Sequence, residues 1–186
     1  RSAARQLARS RAALEIGYAP ELLAAGPRFD HAARLAAVFG AIGPLAIGVG
    51  GRLAPPVAAR RGGIDLAVHR VPVGVDLRLR TALGPLAGAV RLGALLAWTR
   101  EELRSTDPAV VAGRGRSWLA ADVEAGARLA FPVAGAVAVF ADAGVAIALR
   151  RVRYTVRRPE GRVVLLDPLT ARPAVQVGVR VDLAKN

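Results

Sequence analysis

Few side chains in this sequence could do acid–base or nucleophilic chemistry. His31 and His69 are its two histidines, and histidine is the side chain whose ordinary pKa lies nearest neutrality. The serines are Ser2, Ser10, Ser105 and Ser117, and none stands beside a histidine. A hydroxyl nucleophile needs a base within reach and a third group to orient that base, and the spacing supplies neither. Cysteine is absent, which removes thiolate nucleophiles, disulfides and Cys-based zinc or redox sites. No metal-ligand spacing or cofactor motif is visible, and the glycines follow strand parity and turns instead of building a phosphate loop. The abundant chemistry is ionic. Lys+Arg is 27 against Asp+Glu 14, a formal net charge of +13. A guanidinium can donate two parallel hydrogen bonds to one carboxylate or phosphate. The chain is therefore equipped for ion pairing and anion recognition, and is read as a non-enzyme without cofactor or metal.

The elements that must position these charges are strands. The chain has 186 residues, 53% of them hydrophobic and 22% charged, with a mean hydropathy of +0.35. That length is one domain's worth, and the hydrophobicity excludes a disordered chain. The arginine clusters come with no nucleic-acid-binding motif. The longest uncharged stretch, residues 35–51, is shorter than the roughly 20 residues of a membrane-spanning helix. It is also broken by Gly40, Gly43 and Pro44, which read as a turn between two strands.

Apolar and other residues alternate along most of the chain, the mark of a strand with two unlike faces. Val175, Val177, Val179, Val181 and Leu183 share one face, opposite Gln176, Gly178, Arg180 and Asp182. The same period appears around Leu14–Tyr18, 29–39, 45–53, 71–79, 86–98, 119–131 and 137–149, giving eight strands. The phase changes between Val68 and Val71, where a β-bulge at His69 and Arg70 is expected to absorb one residue. Connections alternate too. Gly43-Pro44, Gly84-Pro85 and residues 132–135 make tight turns, whereas 20–27, 55–63, 100–116 and 157–173 are longer loops. The expected fold is all-β, an eight-stranded antiparallel up-and-down transmembrane β-barrel.

The polar faces carry Gly and Ala interleaved with Arg, Asp and Glu, a composition suited to a crowded interior. The apolar faces are Val, Leu, Ile and Ala, suited to lipid tails. The interior candidates are Glu15, Asp30, Arg34, Arg52, Asp76, Arg78, Arg80, Arg91, Asp122, Glu124, Arg128, Asp142, Arg150, Arg180 and Asp182. A barrel of eight strands is just wide enough for its side chains to fill it, so the expected interior is a plug of ion pairs. Tyr18, Phe29, Trp98, Trp118 and Tyr154 fall near the long-loop rim, with Phe39 and Phe131 near the short-turn rim. Such placement is expected of aromatic girdles at two membrane interfaces. The remaining positive charge lies in the loops, at Arg60, Arg61, Arg114, Arg116, Arg157, Arg158 and Arg162.

Strand number, loop asymmetry, girdles and the terminal strand together resemble the small outer-membrane barrels of the OmpA transmembrane-domain and OmpX type, over residues 14–183. One departure is the last outward residue, Leu183, where such proteins usually end on an aromatic. The resemblance implies a bacterial outer-membrane monomer with periplasmic termini and extracellular long loops. Membrane lipid, including lipopolysaccharide phosphates, is then the expected partner, and nucleic acid is not. It implies a structural or interaction role. Alternatives are a narrow porin-like pore, a soluble lipocalin-like barrel holding a lipophilic ligand, and a rim enzyme modifying lipid A. Residues 1–13 read as a basic arm, disordered or a short helix, and 184–186 as a periplasmic tail. The sequence opens on Arg1 with no signal peptide, as expected if a leader was removed or the chain begins inside a longer one.

Overall fold

In the computed structural model, residues 3–24, 28–106, 115–158 and 161–183 are described. A helix, α1 (Ala3–Arg9), precedes the strands β1 (Ala12–Ala24), β2 (Arg28–Gly40), β3 (Leu45–Leu53), β4 (Val57–Arg61), β5 (Ile64–Leu83), β6 (Leu86–Ser105), β7 (Ser117–Ala134), β8 (Val137–Ala148), β9 (Tyr154–Arg158), β10 (Gly161–Leu166) and β11 (Ala171–Asp182). The main sheet runs β3-β2-β1-β11-β8-β7-β6-β5-β4, and a further β3–β5 pairing closes it. β3 lies along Val73–Leu79 of β5 and β4 along Ile64–Val68 of the same strand. The two are one lane interrupted at Pro55-Pro56, where the ladder lacks N–H donors. Eight antiparallel lanes therefore form a closed barrel, which leaves no sheet edge open.

Alternation fixes the two faces. Ile16, Leu35, Leu92 and Val175 are among the large hydrophobics exposed on the outside, whereas Glu15, Arg34, Arg91 and Gln176 beside them are buried inside. The three short turns each place a glycine at positive φ, Gly43, Gly84 and Gly135, a conformation that costs other L-residues more.

β5 and β6 run 20 residues each, about twice the 9–11 residues a transmembrane strand needs. Their outer halves overturn the expected bulge. β5 pairs with β6 without a register shift from Ile64↔Ser105 to Leu83↔Leu86. Even-numbered residues of β5 face inward throughout, so Ile64, Leu66 and Val68 are buried. What changes near His69 is the chemistry of the interior. Below that level the inside is ionic and the outside apolar. Above it the inside is apolar, as in a barrel bathed by water.

The expected long loops also carry structure. β4 occupies much of 55–63, and β9 and β10 form a hairpin within 157–173 and the residues just before it. With the end of β1, these pieces supply a cap in which Leu23, Ile64, Leu66, Tyr154, Val156 and Leu166 pack together. At the opposite mouth α1 packs Leu7 against Ala87, Ala130, Ala138 and Phe140. Arg180 Nη2 donates to Leu7 O at 3.2 Å and Arg80 Nη1 to Ser10 O at 2.9 Å. These bonds satisfy carbonyls at the helix's C-terminal end, where cations also meet the negative pole of its dipole.

Candidate functional site

Strand parity brings the interior charges from every lane onto one axis. Arg78 Nη1 donates to both oxygens of Glu15, at 2.8 and 3.0 Å, and its Nη2 to Asp76 Oδ2 at 3.1 Å. Arg128 lies beside the same Glu15 and donates through Nε to Asp142 Oδ2 at 3.1 Å. Arg91 donates to Asp142 at 3.0 Å and to Glu124 at 2.8 Å. Arg52 links Glu124 to Glu21, and Arg172 links Glu21 to Asp122. Arg70 joins at Asp122, 3.0 Å away, and Arg34 at Asp76, 3.3 Å, with Gln176 behind it at 3.1 Å. One connected network therefore runs across the interior. A buried charge is tolerable only with such partners.

Small inward residues make this crowding possible. A Cβ on Gly48 would stand 2.7 Å from Arg78 Nη2 and from both Asp76 carboxylate oxygens. Gly178 sits opposite Phe140, whose ring edge would lie 2.8 Å from a Cβ there. The Arg128 guanidinium in turn lies 4.0 Å from the Phe140 ring centre, a cation–π contact.

Of the interior candidates, Glu15, Arg34, Arg52, Asp76, Arg78, Arg80, Arg91, Asp122, Glu124, Arg128, Asp142 and Arg180 are buried. Asp182 is half-buried and accepts from Arg180 Nε at 2.9 Å. Asp30 is half-buried as well. Arg150 is a correction: β8 ends at Ala148, and Arg150 is exposed beyond it. Glu21, Arg70, Arg172 and Gln176 are network members that the interior set lacked. Each has the parity of a recognised neighbour, but Pro20, the supposed bulge and Pro173 placed three of them outside strands. Gln176 lies on the expected face, and its buried amide oxygen accepts from Arg34.

Tyr18, Phe29, Phe39, Trp98 and Phe131 stand on the outer face. Trp118 and Tyr154 do not join that belt. Trp118 has the inward parity of Ala120 and Asp122, and Tyr154 belongs to the hairpin folded over the mouth. Tyr154 is buried, and the two ring centres are 6.0 Å apart. Burial pushes the Tyr154 phenol up to about 12.

The histidines face outward. His31 Nδ1 is hydrogen-bonded to the Tyr18 hydroxyl, and their rings stack with centres 5.9 Å apart. His69 lies opposite Arg100 on β6, and Arg100 lies opposite Ser117 on β7. Arg100 thus separates that histidine from the serine.

At the long-loop rim Arg60, Arg61, Arg116, Arg157 and Arg162 are exposed and Arg158 is half-buried. Arg114 lies outside the described residues. Arg61 Nη1 donates to Val164 O at 3.1 Å, and Arg158 Nη2 to Gly62 O at 2.5 Å. These bonds tie the β4–β5 turn to the β9–β10 hairpin. Arg157 and Arg162 face each other directly across that hairpin. Nearby, hydrogen bonds from Arg153 and Arg151 hold the Asp167 carboxyl below its usual range, as Arg60 does for Asp65.

No protein-family model matches the chain, and no curated protein matches it. Solved structures do. A major outer membrane protein from Thermus thermophilus superposes with a TM-score of 0.63 at 13% identity, over 91% of this chain and 98% of that one. Neisserial surface protein A gives 0.57 at 14%, over 92% and 96%. Ail, the attachment invasion locus protein of Yersinia pestis, gives 0.52 at 14%, over 92% and 99%. Ail has also been solved in complex with the heparin analogue sucrose octasulfate, and that structure gives 0.53 at 13% identity, over 91% and 97%. A closed ring of eight antiparallel lanes, apolar outside and ionic within, thus has the fold of the small outer-membrane β-barrels.

Proposed function

We propose that this chain is a bacterial outer-membrane barrel with a non-conducting interior. Its arginine rim faces outward and holds polyanions, with lipopolysaccharide phosphates as the natural occupant. The observation that carries this reading is the Arg157–Arg162 pair. Like charges directly opposite each other on a hairpin are destabilising. Here they sit exposed on a rim that also carries Arg60, Arg61 and Arg116. An anion with several phosphates or sulfates relieves that repulsion by accepting from both guanidiniums at once. Ail's complex with sucrose octasulfate supports the reading by analogy, because it seats a polyanion on a barrel of the same fold. The exterior supports a membrane setting, since Ile16, Leu35, Leu92 and Leu96 are each more than half exposed in a band that water would not tolerate.

The test uses the folded protein in detergent micelles. Its affinity for lipopolysaccharide, for chemically dephosphorylated lipopolysaccharide and for sucrose octasulfate is measured over a salt series. Expected are binding to the first and third, weak binding to the second, and a loss of about tenfold or more in an Arg157→Glu, Arg162→Glu double variant. Equal affinity for the phosphorylated and dephosphorylated forms would refute the proposal. Planar-bilayer recording checks the closed interior: a steady conductance would favour the narrow-pore alternative.

A further inference from the structure

Among the described residues, every buried arginine but one meets a carboxylate. The exception is Arg80 of β5, which is 5% exposed and makes no ion pair there. Its Nη1 donates to Ser10 O, and its Nε is sealed without a partner. Nη2 makes no bond to the described residues and is not sealed. It lies beside Gly40, where a Cβ would stand 3.1 Å from it. A buried charge without a counter-ion is costly. The guanidinium borders a cleft of about 750 Å³ at the short-turn mouth, which Arg80 and Gly40 line together with Arg5, Arg9 and Arg11. No carboxylate belongs to the described lining of that cleft.

The cleft opens onto the outer wall. β3 begins at Leu45, opposite Leu79, whereas β5 runs on to Leu83. The rim is therefore notched beside the β2–β3 turn. Thr81, in the notch, lines both the cleft and a groove of about 840 Å³ on the outer wall. The groove follows the cross-strand row Thr81, Gly88, Leu129, Ala141 and Val177. Gly88 and Ala141, with Ala127 and Ala143 in the next row, give it a low floor. The row starts near the end of β5 and reaches the middle of β11, so the groove climbs from the rim into the apolar band. Ile42, Leu83 and Val133 stand exposed at the three short turns, which sets this rim against lipid and not water. We propose that the short-turn mouth binds one anionic glycerophospholipid, its phosphate beside Arg80 and Arg11 in the cleft and an acyl chain in the groove. Guanidiniums suit a phosphate, and a lining of arginines without carboxylates repels the ammonium of a zwitterionic headgroup. The site rests on the membrane setting proposed above, but not on the arginine rim at the opposite end.

The test takes the folded protein from non-ionic detergent into native mass spectrometry, with equal amounts of phosphatidylglycerol and phosphatidylcholine of the same chains. Expected is one retained phosphatidylglycerol per barrel, preferred about tenfold or more, as befits two arginines acting on one anionic headgroup. An Arg11→Gln, Arg80→Gln double variant should lose the preference. Ala141→Trp, which fills the groove from its exposed side, should lower retention while the folded gel band persists. Glycerol phosphate, a headgroup without chains, should not displace the lipid at equal concentration. Equal retention of the two lipids would overturn the proposal, as would a preference that survives the double change or full retention in Ala141→Trp. Displacement by glycerol phosphate would overturn it too, by making the cleft a site for soluble phosphate. If Arg80→Gln does not fold, an unchanged lipid ratio in Arg11→Gln alone still overturns it. Insertion into phosphatidylcholine vesicles, read by heat-modifiable mobility, separates this site from the membrane reading. A chain that does not insert refutes both, and one that inserts without preferring phosphatidylglycerol refutes the lipid site alone.

Discussion

Arg78 and Glu15 sit 63 residues apart in sequence, yet one guanidinium nitrogen reaches both oxygens of the carboxylate, at 2.8 and 3.0 Å. They belong to β5 and β1, which are not neighbours in the sheet, so the pair crosses the barrel. Both are almost completely buried, at 2% and 1% exposure. Such a pair does little for net stability compared with an apolar core, but breaking it leaves an uncompensated charge. Glu15 also serves Arg128. Glu15→Gln should therefore cost about 3–5 kcal/mol. The check is the urea midpoint of unfolding, followed by the mobility difference between folded and boiled protein. The exposed Arg60–Asp65 pair is the control: Arg60→Gln should leave that midpoint unchanged, because solvent already screens it.

Phe140 makes a chemically different link, between the two ends of the chain. It is buried, packs with Leu7 of α1, lies over Gly178 and receives Arg128 on its ring. Phe140→Ala removes a core aromatic and should cost about 3–5 kcal/mol. It should also loosen α1. Trypsin cleavage after Arg5 and Arg9 is then faster than in the parent, while the folded gel band persists. Unchanged cleavage would show that α1 holds its place without the ring.

Much of the fold is legible in the sequence, and the exceptions are specific. Alternation such as Val175–Val181 against Gln176–Arg180 reports sidedness directly, because a strand has only two faces. That was enough for the lanes, the short turns and most inward arginines. Alternation does not report where the membrane stops. Ile64, Leu66 and Val68 are inward residues above the ionic zone, and read with the polarity rule of the zone below they counterfeit a bulge. Trp118 and Tyr154 failed for the same reason, since position near a rim does not distinguish an outer belt from an inner cap. Glu21 and Arg172 were missed because Pro20 and Pro173 look like strand ends. A barrel strand continues through each with its parity intact.

Tyr154 offers a check on the cap through pH. Its phenol is raised from 10.0 to about 12, chiefly by burial, with Arg70 and Arg172 pulling the other way. Below pH 10 folded and unfolded chains both keep the proton, so the cap's contribution is complete. Between 10 and 12 only the unfolded chain gives it up, and stability falls as pH rises through that window. In a Tyr18→Phe protein, whose one remaining tyrosine is Tyr154, absorbance at the tyrosinate band should rise with a midpoint near 12. A midpoint at the ordinary value of 10 would mean that the cap does not exclude water from this ring.

The change of interior chemistry along β5 predicts opposite outcomes for one kind of substitution on a single strand. Leu66 is buried in the cap, and Val75 is exposed on the outer face in the apolar band. Leu66→Asn places an amide in the apolar cluster with Ile64, Leu166 and the Tyr154 ring, a loss of about 1–3 kcal/mol confined to the cap. The barrel below should still fold, with its heat-modifiable mobility retained, while trypsin cuts faster at the adjoining Arg60 and Arg61. Val75→Asn instead presents an amide to lipid tails, where the penalty falls on folding into the bilayer itself. It should lower the yield of folded protein in lipid vesicles without exposing the cap to trypsin in the molecules that do fold. Equal effects of the two changes on folding yield would mean that Leu66 lies at membrane depth, and that the outer halves of β5 and β6 do not project beyond the lipid.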